Sequence, residues 1–258
     1  MRALTLVLAL LLPMSSPADS TLPFLKELAG DIELPRTWGF SLDYFVMDQD
    51  YDIKSLEFAL PGISLGDPSL LKVTNDVKHF DLQADVWIFP FLNVFGLIGK
   101  VNTDTFVDLS NVDIVGLPFE LGPLNVSIEG RVYGIGFTLV YGTKNWFTSV
   151  TSTWTETKTS GDLDSSISSL SVQPRLGLIK NNWQFWVGGM YLDTDEKHSG
   201  VFELPFIGGV PFAVELITRD NWNYGLGSRY VFNDRNSLSL ELGFGNRQHL
   251  LINFNSRF

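Results

Sequence analysis

The stretch from His249 to Phe258 (HLLINFNSRF) decides the fold class. In an extended chain, successive side chains point to opposite sides. One side here is apolar apart from a single serine: Leu250, Ile252, Phe254, Ser256 and Phe258. The other side is mostly polar: Leu251, Asn253, Asn255 and Arg257. This alternation predicts a β-strand with one apolar face, which completes a sheet formed by the rest of the chain.

The same alternation recurs along the chain from Trp38 onward. The apolar faces of the earlier strands start at Trp38, Phe80, Phe95, Tyr133, Trp146, Leu170, Trp183, Trp222 and Leu238. With the closing strand, this pattern makes about ten strands of about ten residues. The predicted fold is therefore all-β: a single antiparallel up-and-down transmembrane β-barrel of about 10 strands, with 8 or 12 as alternatives.

The connections between these strands differ on the two sides of the predicted sheet. Short turns lie on one side, at residues 90–93, 142–145, 180–182 and 233–236. Long connections lie on the other, at roughly residues 48–78, 102–128, 157–167 and 194–220. Only residues 246–248 form a short connection on the long side. Short periplasmic turns and long outer loops are typical of transmembrane barrels.

The N-terminal segment divides into two parts before the barrel. Residues 1–18 (MRALTLVLALLLPMSSPA) combine a positive start, an apolar core and small residues, which predicts a cleaved signal peptide. Residues 19–36 are expected to be a periplasmic lead-in, in which Leu22 to Ala29 form two helical turns or remain a disordered tail. The barrel is expected to occupy residues 37–258.

Composition excludes several classes of function. The chain has no cysteine, so disulfides, thiolate metal sites and thiol catalysis are excluded. Its formal charge is −11 and it lacks a Lys/Arg cluster, which argues against a nucleic-acid partner. The sequence contains neither a glycine-rich phosphate loop nor a Cys/His metal cluster, so we expect no cofactor.

The strand pattern leaves the orientation of the apolar faces open. Turned outward, they produce a transmembrane barrel; turned inward, they produce a soluble periplasmic ligand-binding β-barrel. Ten strands of Trp, Phe, Tyr and Leu side chains overfill so narrow an interior, whereas glycines such as Gly134 and Gly225 suit a crowded lumen. The membrane barrel is the favoured orientation.

The opposite faces of the strands carry charges of both signs. The predicted lumen charge network consists of Asp43, Asp81, Asp85, Lys100, Arg175, Arg229, Glu241 and Arg257. Opposite charges in a low-dielectric interior are expected to pair and narrow the lumen. A selective pore lined by these charges is the alternative.

Three long connections carry a Leu-Pro step in an apolar setting. The residues of this predicted apolar loop site are Leu60, Leu117, Phe119, Leu204, Phe206 and Phe212. Outer loops are usually polar, so these segments are expected to pack on each other as a cap. A site for a hydrophobic ligand or a protein partner is the alternative.

An enzymatic hypothesis centres on His198, which follows Asp193 and Asp195 in the segment LDTDEKH. Together with Asp81 and Asp85, these residues loosely resemble the Asp pair and Asp-His pair of the omptin outer-membrane proteases. The spacing departs from that family, whose pairs are one residue apart. We therefore expect no enzyme and keep an omptin-like hydrolase as the alternative.

The mature chain as a whole resembles Gram-negative outer-membrane β-barrel proteins, including uncharacterised bacterial barrels. The resemblance is carried by residues 87–93 (WIFPFLN), residues 133–138 (YGIGFT) and the Phe258 ending. It implies a location in the cell outer membrane, in contact with lipid and lipopolysaccharide, and a monomer. It also implies insertion by the barrel-assembly machinery, with Phe254 and Phe258 in the assembly signal. The expected role is structural, in recognition, or in passage of small or hydrophobic molecules.

Overall fold

The computed structural model describes residues 22–58, 64–65, 71–108, 114–115, 123–160, 164–204 and 208–258. Within these residues the chain is almost entirely β-strand. The strands are β1 (Trp38–Phe58), β2 (Ser64–Leu65), β3 (Lys72–Phe89), β4 (Leu92–Asp108), β5 (Ile114–Val115), β6 (Leu124–Gly142), β7 (Trp146–Ser160), β8 (Asp164–Lys180), β9 (Trp183–Leu204), β10 (Gly208–Thr218), β11 (Trp222–Val231), β12 (Asn236–Phe244) and β13 (Gln248–Arg257).

One short 3-10 helix (Lys26–Ala29) precedes the strands, in place of the two helical turns predicted from Leu22 to Ala29. Backbone N–H of Phe24 donates to the carbonyl oxygen of Ile88 at 2.8 Å, and the ring of Phe24 lies 6.1 Å from that of Phe89. The lead-in therefore packs against the turn between β3 and β4.

No helix in the described residues is both long and apolar enough to cross a membrane. The predicted signal peptide, residues 1–18, lies outside the described residues.

The long strands close into a ring of antiparallel pairs, as predicted. β1 pairs with β3 on one edge and with β13 on the other, so the first and last strands close the sheet. Backbone N–H of Phe258 donates to the Trp38 carbonyl at 3.0 Å at this closure. The four short turns lie at one end of the barrel, which we call the turn end; the opposite end is the loop end.

The ring has different strand numbers at two levels. Seven long strands run through both levels, and β10 and β11 lie one after the other along β9. At the lower level, next to the turn end, β11, β12 and β13 complete a ring of ten strands. At the upper level, β10 pairs directly with residues 51–58 of β1 and completes a ring of eight.

Strand lengths match this division. β12 and β13 have 9 and 10 residues, which is the length of a tilted strand that crosses a bilayer, about 9–11 residues. β1 and β9 have 21 and 22 residues and extend through the upper level. The predicted long connections at 48–78 and 194–220 are therefore wrong in large part, because most of these residues continue the strands in register, as in the β9–β10 hairpin.

The outer surface of the lower level is an apolar belt. Its exposed side chains include Trp38, Phe40, Leu42, Tyr44, Phe80, Tyr133, Ile135, Tyr141, Trp146, Trp154, Leu176, Leu178, Trp183, Phe185, Trp222, Tyr224, Leu238, Leu240, Leu242 and Phe254. Above the belt, the outward residues become charged: Asp48, Asp76, Asp104, Glu129, Lys158, Asp195 and Lys197. A barrel with its large apolar residues outside is a transmembrane barrel, so the soluble, inward-facing alternative is wrong.

In β4, the face that points inward is the one that was predicted to point outward. Phe95, Leu97 and Val101 face the interior, whereas Ile98 and Lys100 are exposed on the outer side. Both faces of this segment are apolar, so alternation alone cannot choose between them. Phe95 fills the interior beside Gly136, where a methyl group would collide with its ring. This packing against β6 decides which face of β4 points inward.

Candidate functional site

The lower interior contains seven of the eight predicted lumen charges, which we call the charged layer: Asp43, Asp81, Asp85, Arg175, Arg229, Glu241 and Arg257. Each lies on the inner face of its strand, opposite the apolar belt. Lys100 does not belong to this layer, because it lies on the face of β4 that points outward. The lumen assignment of Lys100 is therefore wrong.

Arg175 and Glu241 form the most connected pair of the charged layer. Arg175 Nε donates to Glu241 Oε2 at 2.8 Å, and Trp186 Nε1 donates to the same oxygen at 2.6 Å. The guanidinium of Arg175 also donates to Gln173 and lies 5.5 Å from the centre of the Trp186 ring. Two donors converge on one oxygen of a nearly buried carboxylate, which holds these side chains across the lumen.

A second pair lies where the barrel closes. Arg257 Nη2 donates to Asp85 Oδ1 at 2.7 Å, and Asn93 Nδ2 donates to the same oxygen at 2.6 Å. Elsewhere in the layer, Asn253 donates to Asp43 at 2.5 Å. Arg229 has no ion-pair partner among the described residues, and its buried Nε has no hydrogen-bond partner there. The layer thus places paired and desolvated charges in the lower interior.

The upper interior contains two buried apolar clusters, which the sequence analysis missed, beside buried polar side chains such as Gln49, Asn75 and Thr218. One buried cluster consists of Met47, Val77, Val101 and Val132, with Phe45, Leu97 and Leu192 packed against it. A second consists of Tyr51, Val73 and Leu216, with Ile53, Val107 and Val214 packed against it. We call these clusters the upper core. Counting the alternation of β1 past Val46 would have found its first members, but residues from 48 onward were predicted to be a loop.

A polar trio borders the upper core: Ser165 on β8, and Glu196 and His198 on β9. Ser165 and His198 are direct cross-strand neighbours, and Glu196 lies two residues before His198 on the same face. His198 Nδ1 lies 2.8 Å from Ser165 Oγ, and its Nε2 lies 3.1 Å from Glu196 Oε2. All three residues are buried.

Tyr51 connects this trio to the upper core. Burial and the neighbouring Glu196 carboxylate raise the pKa of the Tyr51 phenol well above its usual value.

The acidic residues that the enzymatic hypothesis assigned to His198 lie elsewhere. Asp193 and Asp195 are exposed on the outer side of β9, and Asp81 belongs to the lower level. The omptin-like grouping is therefore not assembled in the structure.

Along β9, the neighbouring strand changes from β10 to β11. We call this position in the barrel wall the junction. Arg247, at the tip of the β12–β13 hairpin, is nearly fully buried there. Its guanidinium donates to the carbonyl oxygens of Asp220, Asn221 and Met190 at 2.8, 2.8 and 3.2 Å. Asn223 Nδ2 donates to the carbonyl of Arg247 at 2.8 Å. Side-chain hydrogen bonds thus replace some of the backbone hydrogen bonds between strands at the junction.

Most of the predicted apolar loop site lies outside the described residues, namely Leu60, Leu117, Phe119 and Phe206. The backbone of Leu204 ends β9, where it pairs with Gly208. Phe212 lies on β10, between Gly200 of β9 and Phe58 of β1, with its side chain half-buried. Among the described residues, no group of three or more His, Cys, Asp or Glu side chains is arranged to hold a metal ion.

Comparison with known proteins relates the chain to other barrels by shape. No family model and no curated protein matches the sequence. The outer membrane protein OprG from Pseudomonas aeruginosa is similar over 88% of this chain and 100% of its own, with 11% identity and a TM-score of 0.47. The transport unit of the autotransporter AIDA-I from Escherichia coli is similar over 91% and 94%, with 9% identity and a TM-score of 0.39. The Pseudomonas putida toluene transporter TodX is similar over 86% and 88%, with 10% identity and a TM-score of 0.35.

Proposed function

We propose that this protein is an outer-membrane barrel that admits small apolar molecules from the cell exterior. The observation that carries the proposal is the division of the interior into an apolar upper core and a charged layer beneath it. Transmembrane barrels usually have a polar interior. Buried apolar clusters in the interior above the apolar belt instead favour apolar solutes.

The upper core argues against a channel for water-soluble solutes. Val73 and Val132 are 0% and 1% exposed, so water does not reach these apolar side chains. Ion and sugar pores need polar groups that replace the hydration shell of the solute. An apolar molecule can replace contacts between the upper-core side chains without leaving a polar group unsatisfied.

The charged layer opposes further passage along the axis, because an apolar molecule there would separate desolvated ion pairs. The junction lies at the boundary between the two levels, where side-chain hydrogen bonds from Arg247 stand in for strand pairing. We infer that the molecule leaves sideways at the junction, into the lipid. Opening there breaks fewer backbone hydrogen bonds than opening between two fully paired strands.

The test is uptake of N-phenyl-1-naphthylamine, an apolar dye that fluoresces in lipid, by proteoliposomes that contain the full chain and have an outer leaflet of lipopolysaccharide, which slows direct partition of the dye. Val101→Asp places a charge in the upper core, and Asn102→Asp places the same charge on the outer face of the same strand. We expect Val101→Asp to reduce dye entry to the level of protein-free vesicles and Asn102→Asp to leave it unchanged.

Met47→Trp is a second variant that fills the upper core without adding charge, and it should also slow entry. Heat-modifiable migration on a gel checks that each variant is folded. Equal dye entry with and without the wild-type protein would contradict the proposal.

A further inference from the structure

Ser165, His198 and Glu196 have the connectivity of a nucleophile, a base and an orienting acid. One imidazole nitrogen contacts the serine hydroxyl at 2.8 Å and the other contacts the carboxylate at 3.1 Å. Such a constellation is recognised by its geometry and roles, and its chain order varies between unrelated folds. Here the order is Ser, Glu, His, with the acid and the base on one strand and the nucleophile directly opposite.

We propose that the Ser165–His198–Glu196 trio is a serine-hydrolase site that cleaves esters of small apolar molecules entering the barrel from outside. Glu196 accepts the N–H of Nε2, which selects the tautomer whose Nδ1 is free to accept the serine proton. Ser165 and His198 are 8% and 6% exposed, so water does not compete strongly for their hydrogen bond.

The surroundings of the trio suit an apolar acyl or aryl group. Glu196 and His198 lie opposite Leu216 and Val214 of β10, which belong to or pack on the upper core. Ser165 is the second residue of β8 and thus lies near the loop end of its strand. Asn75 is fully buried beside Tyr51, and its side chain hydrogen-bonds the Tyr51 phenol.

The reaction balances with water as the only co-reactant. Ser165 Oγ forms a bond to the ester carbonyl carbon while its proton moves to His198. The bond from that carbon to the alcohol oxygen then breaks, and His198 returns the proton to the leaving alcohol. Water next adds to the acyl-serine, losing a proton to His198. The Ser165 Oγ–carbon bond breaks, Ser165 regains the proton, and the carboxylic acid departs.

The experiment uses the purified full chain in detergent, with a fluorescent fluorophosphonate as the probe and p-nitrophenyl butyrate as the substrate. We expect the probe to attach to Ser165, as located by mass spectrometry of the digest, and the protein to hydrolyse the ester. Ser165→Ala should lose both properties. Ser169→Ala is the matched control, because Ser169 is also an inward serine of β8 and its hydroxyl lies 3.1 Å from that of Thr194, away from His198.

Glu196 is a positioning residue in this proposal, so it needs a separate readout. Glu196→Gln should lower hydrolysis about 100-fold or more, and Glu196→Asp should recover part of it, with heat-modifiable migration unchanged in both. A folded wild-type protein that neither reacts with the probe nor hydrolyses the ester would overturn the proposal, as would equal labelling of Ser165→Ala. Dye entry does not depend on Ser165, so loss of the hydrolase and loss of the passage function are distinguishable.

Discussion

Arg257 and Asp85 form an ion pair at 2.7 Å that passes over Gly39, so β13 is bound to β3 across the strand between them. Gly39 is the direct neighbour of both residues in the strand pairing. A methyl group at this position would collide with the Asp85 carboxylate and lie 3.0 Å from Arg257 Nη1. The absence of a side chain at Gly39 therefore permits the pair that reinforces barrel closure.

Arg257→Ala is expected to destabilise the barrel strongly. Asp85 has a side chain only 2% exposed, and removal of its partner leaves a buried charge, which costs about 3–5 kcal/mol. Urea unfolding of the folded barrel measures the change. Arg36→Ala is the control, because Arg36 pairs with the exposed Asp234 at the turn end and should have little effect. Gly39→Ala should also destabilise, and equal stability of all three variants would contradict this account.

Phe258→Ala is expected to reduce the amount of folded protein in the outer membrane. Phe258 exchanges backbone hydrogen bonds with Trp38, and its ring lies 5.6 Å from that of Phe40, so it stabilises the last contact that closes the barrel. Membrane fractionation and heat-modifiable migration measure the effect. Phe232→Ala removes an exposed aromatic residue near the turn end and serves as the control. Similar levels for both variants would count against a special role of Phe258 in assembly.

The double variant Arg175→Ala, Glu241→Ala is expected to make the barrel conduct ions. Removing both partners leaves neither charge unpaired and takes away the best-connected obstruction of the lower lumen. Planar-bilayer recording should show conductance steps for the double variant and none for the wild type. Large steps in the wild type would mean that the charged layer does not block the axis.

Arg247→Lys is expected to loosen the junction while keeping the charge. A lysine ammonium cannot reproduce the fork with which the Arg247 guanidinium reaches Asp220, Asn221 and Met190. Hydrogen exchange at Leu192, whose amide donates to Asn221, should become faster, and dye entry into proteoliposomes should increase. Exchange at Leu240, in the β12 ladder away from the junction, should not change. Slower dye entry would argue against a lateral exit.

Acid is expected to weaken the pairing between β10 and β1. Glu215 accepts from Lys54 at 3.0 Å and lies 3.4 Å from Lys197, which lowers its pKa below the ordinary value of 4.5. A carboxyl group with a lowered pKa stabilises the folded state above its unfolded pKa, and the contribution is lost as the pH falls through the folded value. Corrected for the intrinsic pH dependence of exchange, β10 amides should lose protection below pH 4.5, and Glu215→Gln should abolish that dependence.

The alternation of apolar and polar residues along each strand predicted most of the fold. It determined which side chains of β1, β6, β11, β12 and β13 share the large apolar face, and turn composition located the four short turns. Both are properties of consecutive residues in one strand, because the side-chain period of two depends only on the local backbone. The same reasoning failed for β4, where Phe95 and Val94 are both apolar and packing against Gly136 decides which faces inward.

Non-local pairing decided which interior side chains meet each other. The sequence determined that Glu196 and His198 share a face of an extended strand, but only the register of β8 against β9 brings Ser165 to His198. Likewise, only the replacement of three strands by β10 narrows the upper level and encloses the upper core. Register depends on turns and packing far along the chain, and a shift of one residue would turn every one of these side chains to the other face.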